Sequence, residues 1–200
     1  MNTIDLLIHS ASQLLTLPRG PQRGEEIGKL GIVEDGAVAV HEGKIVAVGS
    51  TSRLRTEYEP RNTLDASGHI VMPGFVDPHT HAVWAGDRAD EFEMRLAGKS
   101  YLEIMNAGGG IMATVRKTRA ASAEQLMAET RPRLQRMLAY GSTTIEVKTG
   151  YGLETASELR LWEAIRRLHD EGPWELVPTF LGAHAVPAEF KGREEEYVDL

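Results

Sequence analysis

Two histidines separated by a single residue, His79 and His81, offer the sharpest chemistry in this sequence. Side chains two apart on an extended strand point to the same face, so the pair can bring two imidazoles to one point, as a bound metal ion requires. A bare His-x-His is also compatible with two polar residues that merely end a strand. Its setting favours ligation, because Pro73-Gly74-Phe75-Val76-Asp77-Pro78 feeds an apolar strand into the pair and polar side chains recur at other strand ends. The chain has no cysteine, so a metal must be held by His, Asp or Glu, and disulfides and thiol nucleophiles drop out.

The elements that must position the pair are legible around it. Residues 69–76 run into Asp77-Pro78-His79-Thr80-His81, residues 142–147 into Lys148-Thr149-Gly150-Tyr151, and residues 175–181 into Gly182-Ala183-His184. Between them lie helical patterns. Ser122 and Gln125 open one helix with Leu126, Thr130, Leu134, Met137 and Leu138 inward; Gly141 closes it, and Pro132 predicts a kink or interruption. Thr155 and Glu158 read as a capping box ahead of Leu161, Ile165 and Leu168, with Gly172-Pro173 as the stop. Alternating strand and helix is the signature of βα units on a parallel sheet, assigned here to residues 65–200. Residues 1–64 read differently. Their β-rich runs, 4–17 and 37–48, with a hairpin turn at His41-Glu42-Gly43-Lys44, make a small sheet domain, and residues 18–31 read as a surface loop.

Composition narrows the partner. With 42% hydrophobic and 26% charged residues the chain can bury a core, and a net charge of −7 without a basic run argues against nucleic acid or an anionic membrane. A small molecule is the expected partner. The first 17 residues interrupt their apolar run with Asp5, His9, Ser10, Ser12 and Gln13, which reads as strand rather than a secretory leader. Together with the missing cysteines this fits a cytoplasmic protein, and no run approaches the roughly 20 apolar residues that cross a bilayer. An eight-stranded barrel of the TIM type takes about 250 residues, so three strand ends supply less than half of one. The chain is therefore expected to be truncated at Leu200.

The stretch from Gly74 to His81 resembles the first-strand metal motif of the amidohydrolase superfamily. Within it, four stretches resemble the imidazolonepropionase family: residues 79–95 (HTHAVWAGDRADEFEMR), 108–111 (GGGI), 146–153 (EVKTGYGL) and 179–187 (TFLGAHAVP). The resemblance implies an α/β fold, the N-terminal part of a TIM-like (β/α)8 metal-dependent hydrolase barrel with a small β-sandwich domain. It implies hydrolysis of the ring amide of 4-imidazolone-5-propanoate to N-formimidoyl-L-glutamate, with one Zn2+ or Fe3+ ion. His79 and His81 are implied as metal ligands, Arg88, Tyr151 and His184 as substrate contacts, and His184 also as catalytic. The remaining ligands and the general base would lie beyond Leu200. A homodimer would fit the resemblance. Arg88 carries a planar donor fork suited to a propionate carboxylate, Tyr151 sits between two glycines that let a phenol be aimed sharply, and His184 follows a small Gly182-Ala183 step.

His9, His41, His69 and His169 lack such a setting and read as surface or strand residues. Lys148 reads as a structural cation rather than a carbamylated metal bridge, and residues 108–110 as a flexible loop over the active site. Two other readings stay open: another cyclic-amide hydrolase or deaminase of the superfamily, and a chain that binds metal or a partner without turnover.

Overall fold

The computed structural model describes residues 1–17, 20 and 22–200. The chain divides into two compact units, Met1–Pro73 and Gly74–Leu200.

The first unit is a sheet with a helix against it. Its strands are β1 (Asn2–Leu15), β2 (Ile32–His41), β3 (Lys44–Ser50), β4 (Tyr58–Asp65) and the short β5 (Ile70–Val71), and its helix α1 (Thr51–Glu57) lies between β3 and β4 in the chain. The order is β3-β2-β1-β4, with β5 also paired to β1. β1 and β2 pair antiparallel, whereas β4 runs parallel to β1. Alternation along β1 buries Ile4, Leu7, Ala11 and Leu14, and Leu54 of α1 joins Ile4, Leu7, Ala37 and Ala39 in one cluster. The hairpin stands where the sequence puts it. Glu42 and Gly43 both take positive φ, 50° and 71°, the left-handed pair that a two-residue turn between twisted strands requires. Of the expected loop, Pro18, Arg19 and Pro21 lie outside the described residues. Most of residues 22–31 are exposed and form a single short turn at Gly24–Glu26. Among the described residues this unit has one sheet, not the two facing sheets of a sandwich.

The second unit carries the parallel sheet β6-β7-β8: β6 (Phe75–Thr80), β7 (Ser142–Lys148) and β8 (Glu175–Thr179). The run expected as one strand over residues 69–76 is two. Ile70 and Val71 pair with Gln13 and Leu14 in the first unit's sheet, and β6 begins only at Phe75. Pro73 supplies no N–H to a ladder. Gly74 stands so close to Thr143 that a Cβ would come within 2.1 Å of its hydroxyl, so the backbone can pass there only without a side chain. The units accordingly part at Pro73 and Gly74, nine residues beyond the sequence-based boundary at 64/65.

Two long helices cover one face of this sheet, α5 (Ala123–Ala139) and α6 (Thr155–Glu171); α2 (Ala89–Leu96), α3 (Tyr101–Asn106) and α4 (Ile111–Ala120) precede them, and α7 (Glu194–Val198) follows β8. Ser122 caps α5 by accepting from the Gln125 N–H, worth about 1 kcal/mol. Pro132 does not interrupt that helix, which continues for its 17 residues with Leu126, Thr130 and Leu134 buried on both sides of the proline. The expected Thr155/Glu158 capping box is not formed: Glu154 is the N-cap and its side chain caps no backbone N–H, and Glu158 bonds elsewhere. Leu161, Ile165 and Leu168 are fully buried with Leu126, Leu134, Ile145, Val147 and Leu176, each large side chain adding about 2 kcal/mol. In β7 the odd positions Ile145 and Val147 enter this core, which leaves Thr144, Glu146 and Lys148 for the opposite face.

Candidate active site

Parallel strands deliver their C-terminal ends to one edge of a sheet, and three of the implied residues meet there. His81 follows β6, Tyr151 follows β7 and His184 follows β8. The His81 and His184 rings stack with centroids 4.6 Å apart and planes 13° from parallel. The Tyr151 ring lies 4.9 Å from His81 and 5.7 Å from His184. His79, still within β6 and exposed, has its ring 6.2 Å from that of His81 at 68°.

Local backbone chemistry holds this arrangement. Gly150 has φ +112°, and a Cβ on it would come within 2.7 Å of the His184 Cβ, so only glycine lets the chain turn this close to the imidazole. The Gly150 carbonyl lies 3.1 Å from His184 Nδ1. A carbonyl can only accept, so Nδ1 carries the proton and Nε2 faces away from Gly150.

His81 is half-buried, and its Nδ1 is buried without a hydrogen-bond partner among the described residues. Burial is the main cause that lowers its pKa below the ordinary histidine value, helped by the nearby His184 and His79, while a backbone hydrogen bond at Thr149 opposes them. A neutral imidazole with an unclaimed nitrogen is the donor a metal ion takes. Among the described residues no group of three or more His, Cys, Asp or Glu could enclose one.

Beside the cluster, Lys148 Nζ and the Thr179 hydroxyl both donate to Glu146 Oε1, each at 2.6 Å. These two bonds hold the Glu146 carboxyl below its ordinary pKa. Lys148 is thus an ion-paired cation, as its sequence setting suggests.

Arg88 stands apart from the four rings. It is the N-cap of α2, donates Nε to the Thr114 hydroxyl at 3.0 Å and has Glu91 Oε1 at 3.8 Å, with its side chain 40% exposed. It lines a cavity of about 210 Å3 with Glu91, Gly108, Gly109 and Arg116. The glycine run lies at this cavity, pinned by Glu91 Oε1 accepting from the Gly110 N–H at 2.9 Å and by Arg116 donating to the Gly108 carbonyl. The structure therefore brings together His79, His81, Tyr151 and His184, and records no contact between them and Arg88 among the described residues. The other histidines have structural partners: Arg55 bonds the buried His9, Asp5 lies 3.2 Å from His41, Ser67 bonds His69, and the Leu176 N–H bonds His169. Sequence reasoning passed over Glu146, Arg119 and, in its actual role, Glu158. Only the alternation of Glu146 with core Ile145 and Val147 gave a signal.

Residues 36–58 match a family profile described as "Imidazolonepropionase-like composite domain, bacteria". Along 98% of its length the chain is 53% identical to an imidazolonepropionase from Herpetosiphon aurantiacus, of which it covers 46%. It is 54% identical to the imidazolonepropionase of Chloroflexus aggregans, with 100% of this chain and 47% of that protein aligned. The chain thus spans about half the length of the curated relatives it matches. Its fold is shared with an adenosine deaminase from Xanthomonas campestris solved with bound zinc (TM-score 0.55, 20% identity, 90% of this chain and 43% of that one). It is also shared with a guanine deaminase from Bradyrhizobium japonicum (TM-score 0.58, 16% identity, 98% and 40%). At these identities the likeness is one of fold.

Proposed function

We propose, for a chain that is imidazolonepropionase-like along its whole length, that the complete protein hydrolyses the ring amide of 4-imidazolone-5-propanoate to N-formimidoyl-L-glutamate. The observation that carries this reading is the meeting of His81, Tyr151 and His184 at three parallel strand ends, with His79 alongside. In it the second unit supplies the first strands of a (β/α)8 barrel, and the first unit supplies part of a small β-sandwich. Val76 and Val177, exposed by 65% and 45%, are the apolar surface that further barrel strands would cover.

The unclaimed Nδ1 of a neutral His81 fits metal ligation, and His79, its ring 6.2 Å away, would be the second ligand from this chain. The chemistry that one Zn2+ or Fe3+ ion supplies when bound is Lewis acidity toward the ring carbonyl and activation of water. Because such sites take at least three protein ligands, the rest of the set belongs to the remainder of the protein. The chain's own contribution is to bind and orient. His184, with Nδ1–H held by Gly150, offers Nε2 to a ring N–H or receives a proton there. The Tyr151 phenol donates to oxygen that gains charge, an effect of about 3 kcal/mol for one well-placed donor. Arg88, fixed by Thr114 and still partly open, takes the propionate carboxylate through its guanidinium fork. The expected partner is this small molecule, and a homodimer is compatible. No described helix is long and apolar enough to cross a membrane.

The test is the full-length protein mixed with 4-imidazolone-5-propanoate, following loss of the ring's ultraviolet absorbance before and after chelation. Ring opening that chelation abolishes and added metal restores is expected. A metal-loaded full-length protein that leaves the imidazolone ring intact while deaminating a purine would place it with another reaction of the same fold.

A further inference from the structure

Glu158 is the most deeply buried carboxyl among the described residues, 1% exposed, and the reaction proposed above gives it no part. Its side chain reaches back from the first turn of α6 into the loop that carries Tyr151. Oε2 accepts from the Gly150 N–H at 2.8 Å, and Oε1 accepts from Gly152 N–H at 2.6 Å and Leu153 N–H at 2.7 Å. The carbonyls of the same loop are taken by an opposite charge. Arg119, in the last turn of α4, donates Nε to the Gly152 carbonyl at 2.6 Å and Nη2 to the Leu153 carbonyl at 2.9 Å. Glu189 Oε1 sits 2.7 Å from Arg119 Nη1 and holds the guanidinium in turn.

This loop needs such partners. Gly150 and Leu153 both have positive φ, 112° and 52°, and the left-handed turn at Leu153 costs about 1–2 kcal/mol. Its buried N–H groups lie beyond the end of the β7 ladder, so an anion with two oxygens satisfies donors that would otherwise be orphaned. Gly152 admits the close packing, since a Cβ there would meet the Glu158 backbone nitrogen at 2.7 Å. Tyr151 sits inside the clamped stretch, and the Gly150 carbonyl accepts from His184 Nδ1.

We infer that Glu158, with Arg119 opposite it, is a positioning residue that clamps residues 150–153 and so fixes Tyr151 and His184 beside His81. The inference deepens the proposed function and rests on its assignment of Tyr151 and His184 to the substrate. Glutamine keeps the volume of Glu158 but presents one acceptor oxygen and an amide that repels the remaining N–H donors. Aspartate keeps the charge at shorter reach.

The experiment uses full-length protein as wild type, Glu158→Gln, Glu158→Asp, Tyr151→Phe and the Glu158→Gln/Tyr151→Phe double variant. Steady-state kinetics, bound metal and amide hydrogen exchange are read on each. E158Q is expected to lose about 100-fold in kcat/KM, the scale of a catalytic group misplaced by about 1 Å, with bound metal unchanged. E158D should recover part of that loss. Exchange should quicken in the peptide covering residues 149–154 and stay as in wild type across residues 123–139. The double variant should be little worse than E158Q alone, because the loosened loop has already taken the phenol out of position. Wild-type exchange and kinetics in E158Q, or losses that multiply in the double variant, would overturn the clamp. Should E158Q fail to fold, Arg119→Lys removes the planar fork while keeping the charge, and the same local exchange change is required of it. If wild type hydrolyses nothing, the functional reading fails, and the exchange at residues 149–154 still decides the clamp.

Discussion

Gly150→Ala is the substitution whose consequence is easiest to work out from geometry. The new Cβ would lie 2.7 Å from the His184 Cβ and 2.9 Å from Nδ1, where ordinary van der Waals contact begins at 3.4 Å. The loop or His184 must therefore give way by about 0.7 Å, and either movement parts the His184 Nδ1 from the Gly150 carbonyl and disturbs the stack on His81. A φ of +112° adds strain of about 1–3 kcal/mol for a residue with a Cβ. The expected result in the full-length protein is a loss of about 10- to 100-fold in kcat/KM, since displacements near 1 Å cost on that scale. Stability to urea should fall with it. Gly192→Ala separates the two effects, because Gly192 also has positive φ, +80°, with nothing within 4 Å of an added Cβ. That variant should lose stability and keep its rate. A Gly150→Ala enzyme with wild-type kcat/KM would refute the claim that His184 works from the position seen here.

Other perturbations have equally definite outcomes. Arg88→Lys keeps the charge but not the fork, so KM should rise about tenfold while kcat changes little, as expected for contact with an unreacting tail; a fall confined to kcat would remove Arg88 from that role. Leu161→Ala empties a fully buried position and should cost about 3 kcal/mol by denaturant titration, with a cost under 1 kcal/mol showing that the core between α5 and α6 is looser than drawn. Glu146 has its pKa lowered first by Lys148 and then by Thr179, so it stabilises the fold above its ordinary value of 4.5 and that contribution is lost as pH falls through the lowered folded value. Lys148→Met should shrink the slope of stability between pH 4.5 and that lower value, and an unchanged slope would mean that the ion pair is not felt in solution.

What the sequence disclosed depended on whether its signals were local. The Glu42-Gly43 turn, the cap at Ser122, the stop at Gly141 and the apolar faces of α5 and α6 are set by residues within a few positions of one another, and each was readable. The three strand ends were readable for the same reason, whereas the grouping of His79, His81, Arg88, Tyr151 and His184 as site residues came from the family resemblance. Three features were not readable, because tertiary partners decide them. Thr155 and Glu158 have the spacing of a capping box, yet Glu158 is drawn to the orphaned N–H groups of residues 150–153. Residues 69–76 carry one apolar run, yet Ile70 and Val71 are claimed by β1 while Phe75 begins β6. Pro132 costs α5 a backbone bond that burial of Leu126, Thr130 and Leu134 outweighs. Helices α1 to α4 went unseen, although Ser50 and Ser100 carry genuine N-caps that could have marked α1 and α3.

The central claim is that the strand ends carrying His79, His81, Tyr151 and His184 form one metal-dependent hydrolytic centre. Crystals of the full-length protein grown with zinc, measured on both sides of the zinc absorption edge, test it most directly. The expected result is an anomalous peak about 2.1 Å from a ring nitrogen of both His79 and His81, with further ligands from the rest of the protein and open space toward Tyr151 and His184. A fully occupied zinc peak away from both histidines, with the four rings placed as they are here, would contradict it.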